Sequence, residues 1–263
     1  TASQTLAAAS PVMPAPRTSV DAWGMIGGRV TGGVTSSGPY HSDRSSLLPP
    51  SVSATLDLSV VMPAYNEEAS IDGAIEEVVR DVFAVTPDVE LVVVDDGSRD
   101  GTAARVEAWS RRDARVRLVR RENGGHGAAL MTGLRAARGR RCLLVDADAQ
   151  VSLAGFRDTS EAAVDADAVL GVRRLRHDPI HRLVLTRVVR VLLRFVHGVP
   201  YADANVPYKL VERRWCERLA SVAPASPAVP SILLAMLLAR EGAKVVEQVV
   251  VHRPRSGGTG SLK

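Results

Sequence analysis

Cys142-Leu143-Leu144-Val145-Asp146-Ala147-Asp148-Ala149-Gln150 is the stretch that decides the fold. Its first four residues form an unbroken apolar run, the pattern of a strand buried on both faces. Asp146 and Asp148 follow at once, two positions apart. Carboxylates at the exit of a core strand are costly unless something binds them, and a hard divalent cation holding a substrate diphosphate offsets that cost. Residues i, i+2 and i+4 of an extended chain share a face. On that ground Asp146, Asp148 and Gln150 are read as an oxygen set for Mg²⁺ or Mn²⁺. The plainer alternative is a loop with a capping Asp.

Two earlier apolar runs end in a similar way. Leu58 to Met62 leads into Pro63-Ala64-Tyr65-Asn66-Glu67, and Leu91 to Val94 leads into Asp95-Asp96-Gly97-Ser98. Helical patterns at 68–84, 102–112 and 128–138 alternate with strands at 58–62, 90–94, 116–119 and 141–145. This alternation predicts an α/β fold with a mainly parallel, doubly wound sheet and helices on both faces. Ligands of such a sheet gather beyond the carboxyl ends of the strands, where all three polar segments sit. Farther along, helices are expected at 152–164, 181–196 and 227–241, strands at 167–172 and 244–251, and a polar turn at 200–207.

Each polar segment suggests a chemistry and a plainer alternative. Pro63 ends its strand because it has no N–H for the ladder. Tyr65 offers a ring and a hydroxyl suited to a nucleobase, while Asn66 and Glu67 offer acceptors for ribose or base edges. The alternative is an ordinary turn in which Asn66 caps a helix. Asp95 and Asp96 stand where they can accept from a base N–H or ribose hydroxyls, and Gly97 lets the backbone turn sharply. Asn123-Gly124-Gly125-His126-Gly127 could present backbone N–H groups to phosphate at a helix N-terminus. Its spacing is neither the dinucleotide fingerprint nor a P-loop.

Composition bounds the partners. The 263 residues are 46% hydrophobic and 24% charged, enough for a real core, with a formal net charge of +4. Between Arg173 and Arg194 seven arginines face a single acid, Asp178, a bias that suits anionic substrates or an anionic membrane surface. Arg187, Arg190 and Arg194 share one face of the expected helix, so an interfacial helix competes with a core helix that has one solvated face. Aromatics are only 4%, which leaves few stacking platforms and argues against nucleic acid. Cys142 and Cys216 show no metal or redox spacing and read as reduced thiols of a cytoplasmic protein. No membrane-spanning helix or signal peptide is expected. Residues 1–55, rich in Ser, Thr, Gly, Ala and Pro, read as a disordered or linker segment, and 56–263 as one domain with a nucleotide and metal half to 150 and an acceptor half beyond. A chain that starts at Thr1 and stops at Lys263 is expected to lack residues at either end.

This ordered set of segments resembles the family 2 glycosyltransferases of the GT-A fold, and within them the polyprenol-phosphate sugar synthases. The resemblance covers about 58 to 261 and is strongest from Val60 to Gln150. It implies that Pro63, Tyr65, Asn66 and Glu67 contact the nucleotide, and that Val93, Asp95 and Asp96 hold base and ribose. It implies that Asp146, Ala147, Asp148 and Gln150 form the metal and diphosphate motif, with Asp148 catalytic. Arg173, Arg182, Lys209 and Arg255 are implied to meet phosphate or acceptor, and Asp203 is the candidate base if the acceptor is a hydroxyl. Asp203 to Leu210 departs from the family's usual Ser-Gly-Phe-Arg wording, which leaves the acceptor open. The Gln-x-x-Arg-Trp motif of processive synthases is absent, so a single sugar transfer is implied. The implied reaction is metal-dependent, inverting transfer from a GDP- or UDP-sugar to polyprenyl phosphate, by a protein at the cytoplasmic membrane face with peripheral membrane contact. A soluble hydroxyl acceptor, a sugar-nucleotide pyrophosphorylase and a non-catalytic nucleotide- or membrane-binding module are the alternatives.

Overall fold

Apolar runs able to bury both of their faces form the centre of one sheet, and more polar strands form its edges. In the computed structural model, which describes residues 56–173, 194–195 and 198–253, β1 (Leu56–Ala64) lies between β2 (Val89–Asp95) and β4 (Gly139–Val145). β3 (Val116–Arg120) pairs with β2, and these four strands are parallel. β5 (Ala168–Arg173), β6 (Tyr208–Glu212) and β7 (Val245–Val250) extend the sheet to seven strands, in the order β3-β2-β1-β4-β6-β5-β7. β6 runs antiparallel to both of its neighbours, and β7 runs parallel to β5.

β2 is buried along its whole length and β1 from Leu58 onward, which requires cover on both faces. On one face Val60, Met62, Leu91, Val93 and Leu143 cluster with α1 (Ile71–Glu77) and its π-helical continuation, Val78–Val82. α2 (Thr102–Arg112) and α4 (Phe156–Ala162) join this side through Val106 and Phe156. On the other face Val61, Cys142, Leu144 and Val211 cluster with α3 (His126–Ala136), α5 (Arg213–Val222) and α6 (Pro230–Arg240). The expected doubly wound, mainly parallel sheet is what forms.

Two elements differ from the sequence reading. β6 and α5 occupy residues 208–222, between the polar turn expected at 200–207 and the helix expected at 227–241, where the sequence reading assigned no element. Lys209 interrupts the apolar run, yet it is fully buried, so composition hid the strand. The expected helix at 68–84 is shorter at its start, because Asn66 to Ser70 are spent on a loop. Residues 1–55, Arg182, Arg255 and all of the basic 181–196 stretch except Arg194 and Phe195 lie outside the described residues. Among the described residues no helix is long and apolar enough to cross a membrane.

The amino-terminal end of the sheet is closed by a buried polar lock. Glu90 accepts from Ser59 Oγ at 2.7 Å and from the Arg138 N–H at 2.7 Å, and it pairs with Arg117. Ser59 Oγ in turn accepts from the Gly139 N–H at 2.7 Å, so the lock fixes where α3 ends and β4 begins. Glu90→Gln is expected to cost about 2 kcal/mol, as for other hydrogen bonds to a buried charge. Urea unfolding measures this, and an unmoved midpoint would show that the lock contributes nothing.

Candidate active site

β1 and β4 are neighbours, and from them the chain winds to opposite sides of the sheet. Their carboxyl ends therefore flank the topological switch point, where α/β sheets bind ligands. Three segments meet there, and hydrogen bonds from backbone N–H groups to side chains staple the first two together. Asn66 sits at φ 53°, a left-handed conformation that Asn tolerates better than most residues. Its N–H donates to Ser98 Oγ at 3.0 Å, and its Oδ1 accepts from the Arg99 N–H at 2.8 Å. The Glu67 N–H donates to Thr102 Oγ1 at 2.9 Å, and the Gly101 N–H donates to Glu68 at 3.0 Å. Tyr65 is left exposed at the rim. The Asn66 side chain thus bridges to the next loop instead of capping a helix.

β2 delivers Asp95 and Asp96, and their roles separate. Asp95 is buried at the strand end and accepts from the Ser98 N–H at 3.2 Å. Asp96 turns toward the glycine-rich segment, where it pairs with Arg121 and accepts from the Gly124 and Gly125 N–H groups at 3.1 and 2.8 Å. This corrects two expectations. Asp96 holds a turn, and two amides assigned to a phosphate are already taken by it. Gly97 at φ 72° makes the reversal, and a Cβ there would meet the Asn123 amide nitrogen at 2.9 Å. Val93 is also corrected: it is fully buried between Met62 and Leu118 and has no surface for a nucleotide.

β4 delivers Asp146 and Asp148, which line a hollow together with Met62, Ala74 and Glu77. Asp146 keeps 33% of its side-chain surface open, and His126 Nε2, at the start of α3, is 3.9 Å from its Oδ1. Burial pushes the Asp146 carboxyl up to about 6; His126 and Lys209 pull it down, while Asp148 and Glu67 push it up. A cation would relieve that crowding of negative charge. Among the described residues no three acidic, His or Cys side chains gather into a self-sufficient metal cage. That suits Mg²⁺-type binding, in which one or two carboxylates and the substrate phosphates share the ion. Gln150 arrives differently from the expectation. Residues 147–148 form a turn and Ala149 sits at φ 53°, so the extended i, i+2, i+4 argument fails. The Gln150 N–H instead donates to Asp148 Oδ1 at 3.1 Å.

Beyond residue 150 the domain carries a buried charge cluster. Arg173, at the end of β5, holds Asp203 through two hydrogen bonds of 2.8 and 3.0 Å, and Asp203 is 4% exposed. Both carboxylate oxygens thereby accept from Arg173, so Asp203, expected as the base for a hydroxyl acceptor, is held in a buried ion pair. Lys209 is fully buried and donates to the Val206 carbonyl. Burial pushes its ammonium down to about 7 and Arg173 adds to that, against the pull of Asp203 and Asp146. Lys209 therefore lies behind the site, not on a wall where an acceptor could touch it.

The sequence reading passed over Glu77, Ser152 and Arg253 as partners. Glu77 is 4% exposed, accepts from Ser152 and the Leu153 N–H, and pairs with Arg253. The adjacent acid Glu76 masked it, because helical periodicity alone does not tell which of two successive acids turns inward.

Comparison with known proteins follows the same lines. Residues 59–216, more than half of the chain, match the family Glycosyl transferase family 2. The chain is 29% identical over 208 residues to an undecaprenyl-phosphate 4-deoxy-4-formamido-L-arabinose transferase of Aeromonas hydrophila, covering 76% of this chain and 61% of that protein. It thus spans less than two thirds of the length of the curated relatives it matches. Among solved structures, glucosyl-3-phosphoglycerate synthase of Mycobacterium tuberculosis with Mn²⁺, UDP and phosphoglyceric acid is similar at TM-score 0.58 and 26% identity, covering 77% of this chain and 72% of that one. A mannosyltransferase of Pyrobaculum calidifontis in complex with GDP-Man and Mn²⁺ shares the fold at TM-score 0.57 and 24% identity, covering 77% and 58%. With paired carboxylates at the switch point of a doubly wound sheet and a family match that spans them, the chain belongs to glycosyl transferase family 2 and folds as a GT-A glycosyltransferase domain.

Proposed function

We propose that this chain transfers one sugar, with inversion, from a nucleoside diphosphate sugar to a polyprenyl phosphate at the cytoplasmic face of a membrane. The observation that carries the reading is the pair Asp146 and Asp148 at the exit of β4, beside the open Tyr65–Glu67 loop of β1. In this reading Tyr65, Asn66, Glu67 and Asp95 are the residues that meet base and ribose. Asp146 and Asp148 would hold Mg²⁺ or Mn²⁺, which supplies charge neutralisation for the departing diphosphate. Pro63 and Ala147 are buried and set the course of these loops. Arg182 and Arg255, outside the described residues, remain proposed phosphate contacts.

The engaged state of Asp203 bears on the acceptor. A hydroxyl acceptor needs a base, whereas a phosphate oxygen is already anionic and needs none. As acceptor, that oxygen attacks the anomeric carbon, the bond from this carbon to the donor's diphosphate breaks, and nucleoside diphosphate leaves. The undecaprenyl-phosphate transferase relative supports the same choice. Peripheral membrane contact through the basic 181–196 stretch belongs to this proposal.

Labelled GDP- and UDP-sugars offered with polyprenyl phosphate test the reading. Label should enter the organic phase with Mn²⁺ or Mg²⁺, vanish with chelator, and fall at least 100-fold in Asp148→Asn, on the order of other losses of a transition-state charge contact. Metal-dependent release of nucleoside diphosphate without organic-phase label would move the acceptor to a soluble hydroxyl. No nucleotide turnover and no nucleotide binding would end the enzymatic reading.

Asp203→Asn should act mainly on stability, at about 3 kcal/mol, because it strands a mostly buried Arg173. Full stability with abolished turnover would restore Asp203 to the chemistry.

A pH effect follows from Asp146. Its carboxyl is raised in the folded state from an ordinary value near 4, so without cation the protein loses stability as pH rises from about 4 to about 6. A divalent cation must displace that proton, so Mn²⁺ should raise the melting temperature more at pH 7 than at pH 5. Equal shifts at the two pH values would contradict the assignment of Asp146 to the cation.

A further inference from the structure

The loop that follows Asp148 is held from behind by a clasp that the reaction scheme does not use. Glu77, the last residue of α1, is 4% exposed and lines the same hollow as Asp146 and Asp148. Its Oε1 accepts from Ser152 Oγ at 3.2 Å, from the Leu153 N–H at 3.1 Å and from Arg253 Nη2 at 2.9 Å. Its Oε2 accepts from Arg253 Nη1 at 3.1 Å. Arg253 Nη2 also donates to Ser152 Oγ at 2.7 Å.

The same partners clamp the backbone. The Arg253 N–H donates to the Gln150 carbonyl at 2.7 Å, and the Ser152 N–H donates to the Val251 carbonyl at 3.0 Å. Val151 and His252 form an antiparallel bridge between them. Gln150 is therefore gripped at both ends: its carbonyl by Arg253 and its N–H by Asp148 Oδ1. Just before it, Ala149 is held at φ 53°. A non-glycine residue keeps that conformation only where its surroundings over-determine it. An ion pair with one buried and one half-exposed partner is a weak source of net stability, so its use here is better sought in fixing one conformation of the loop.

We propose that Glu77 is a positioning residue for the cation and diphosphate, acting through Arg253 and Ser152 to fix the Asp148–Gln150 turn. This rests on the glycosyltransferase reading of the site. The clasp touches no substrate. It sets the direction of the Asp148 carboxylate by fixing the Gln150 backbone to which that carboxylate is bonded.

The test is calorimetric titration of the whole chain with GDP or UDP, in Mn²⁺ and in chelator, beside thermal melts. Glu77→Gln and Arg253→Gln should each weaken Mn²⁺-dependent binding about tenfold or more, the usual cost of losing an outer partner of a metal ligand. The double variant should lose no more than the worse single one, as expected of residues acting as a unit. Binding in chelator should not change, and amide exchange at Ala149–Leu153 should quicken. Glu90→Gln, at the far end of the sheet, is the control for lost stability and should leave nucleotide affinity intact. Arg253→Lys, at a side chain 43% exposed, carries the test if Glu77→Gln does not fold. Variants that melt lower but bind as wild type in Mn²⁺, or a loss equalled by Glu90→Gln, would overturn the positioning role. Absence of any Mn²⁺-dependent nucleotide binding by the wild type would instead overturn the reading on which the proposal rests.

Discussion

A carboxylate at the mouth of a buried strand is the constraint on which the rest of this molecule depends. β4 is apolar from Cys142 to Val145 and is covered on both faces, so Asp146 leaves the core with little water on its inner side. Asp148 and Glu67 add negative charge, and His126 and Lys209 add positive. The hydrophobic effect that builds the sheet thus also concentrates charge at one edge of it. That concentration costs stability in the absence of a ligand and, on the proposed reading, is the source of affinity for a cation that brings a diphosphate with it.

The supporting charges are arranged in depth. Lys209 lies wholly inside, where its charge acts on Asp146 through the interior and not by contact with substrate. Arg173 and Asp203 lock each other, which ties the end of β5 to the turn before β6. Asp96 spends its oxygens on the glycine turn that starts α3, and so sets where His126 stands relative to Asp146. In each case a residue whose type suggests chemistry is buried or paired within the fold.

How far the sequence could be read follows from which physical signals are local. The parallel half was legible because three of its four strands, β1, β2 and β4, carry continuous apolar runs followed by Asp or Pro, a pattern written within five or six residues. β6 was not, since Lys209 carries a charge into the core and its compensation comes from Val206 and from the fields of Asp203 and Asp146, remote in the chain or in the turn before it. Asp146 and Asp148 were legible as a pair, but Gln150 was placed by assuming extended backbone where the chain turns through Ala149. Asp203 and Val93 could be matched to motif positions, yet burial and pairing, which decide what a side chain can touch, are tertiary facts. The Glu77 clasp spans 176 residues and leaves no periodic trace.

Diffraction from crystals grown with Mn²⁺ and a nucleoside diphosphate tests the central claim most directly. An anomalous peak about 2.1 Å from a carboxylate oxygen of Asp146 or Asp148, bridged to the diphosphate, is the predicted result. A nucleotide bound at this edge with no metal at either carboxylate, or a metal held elsewhere, would contradict it.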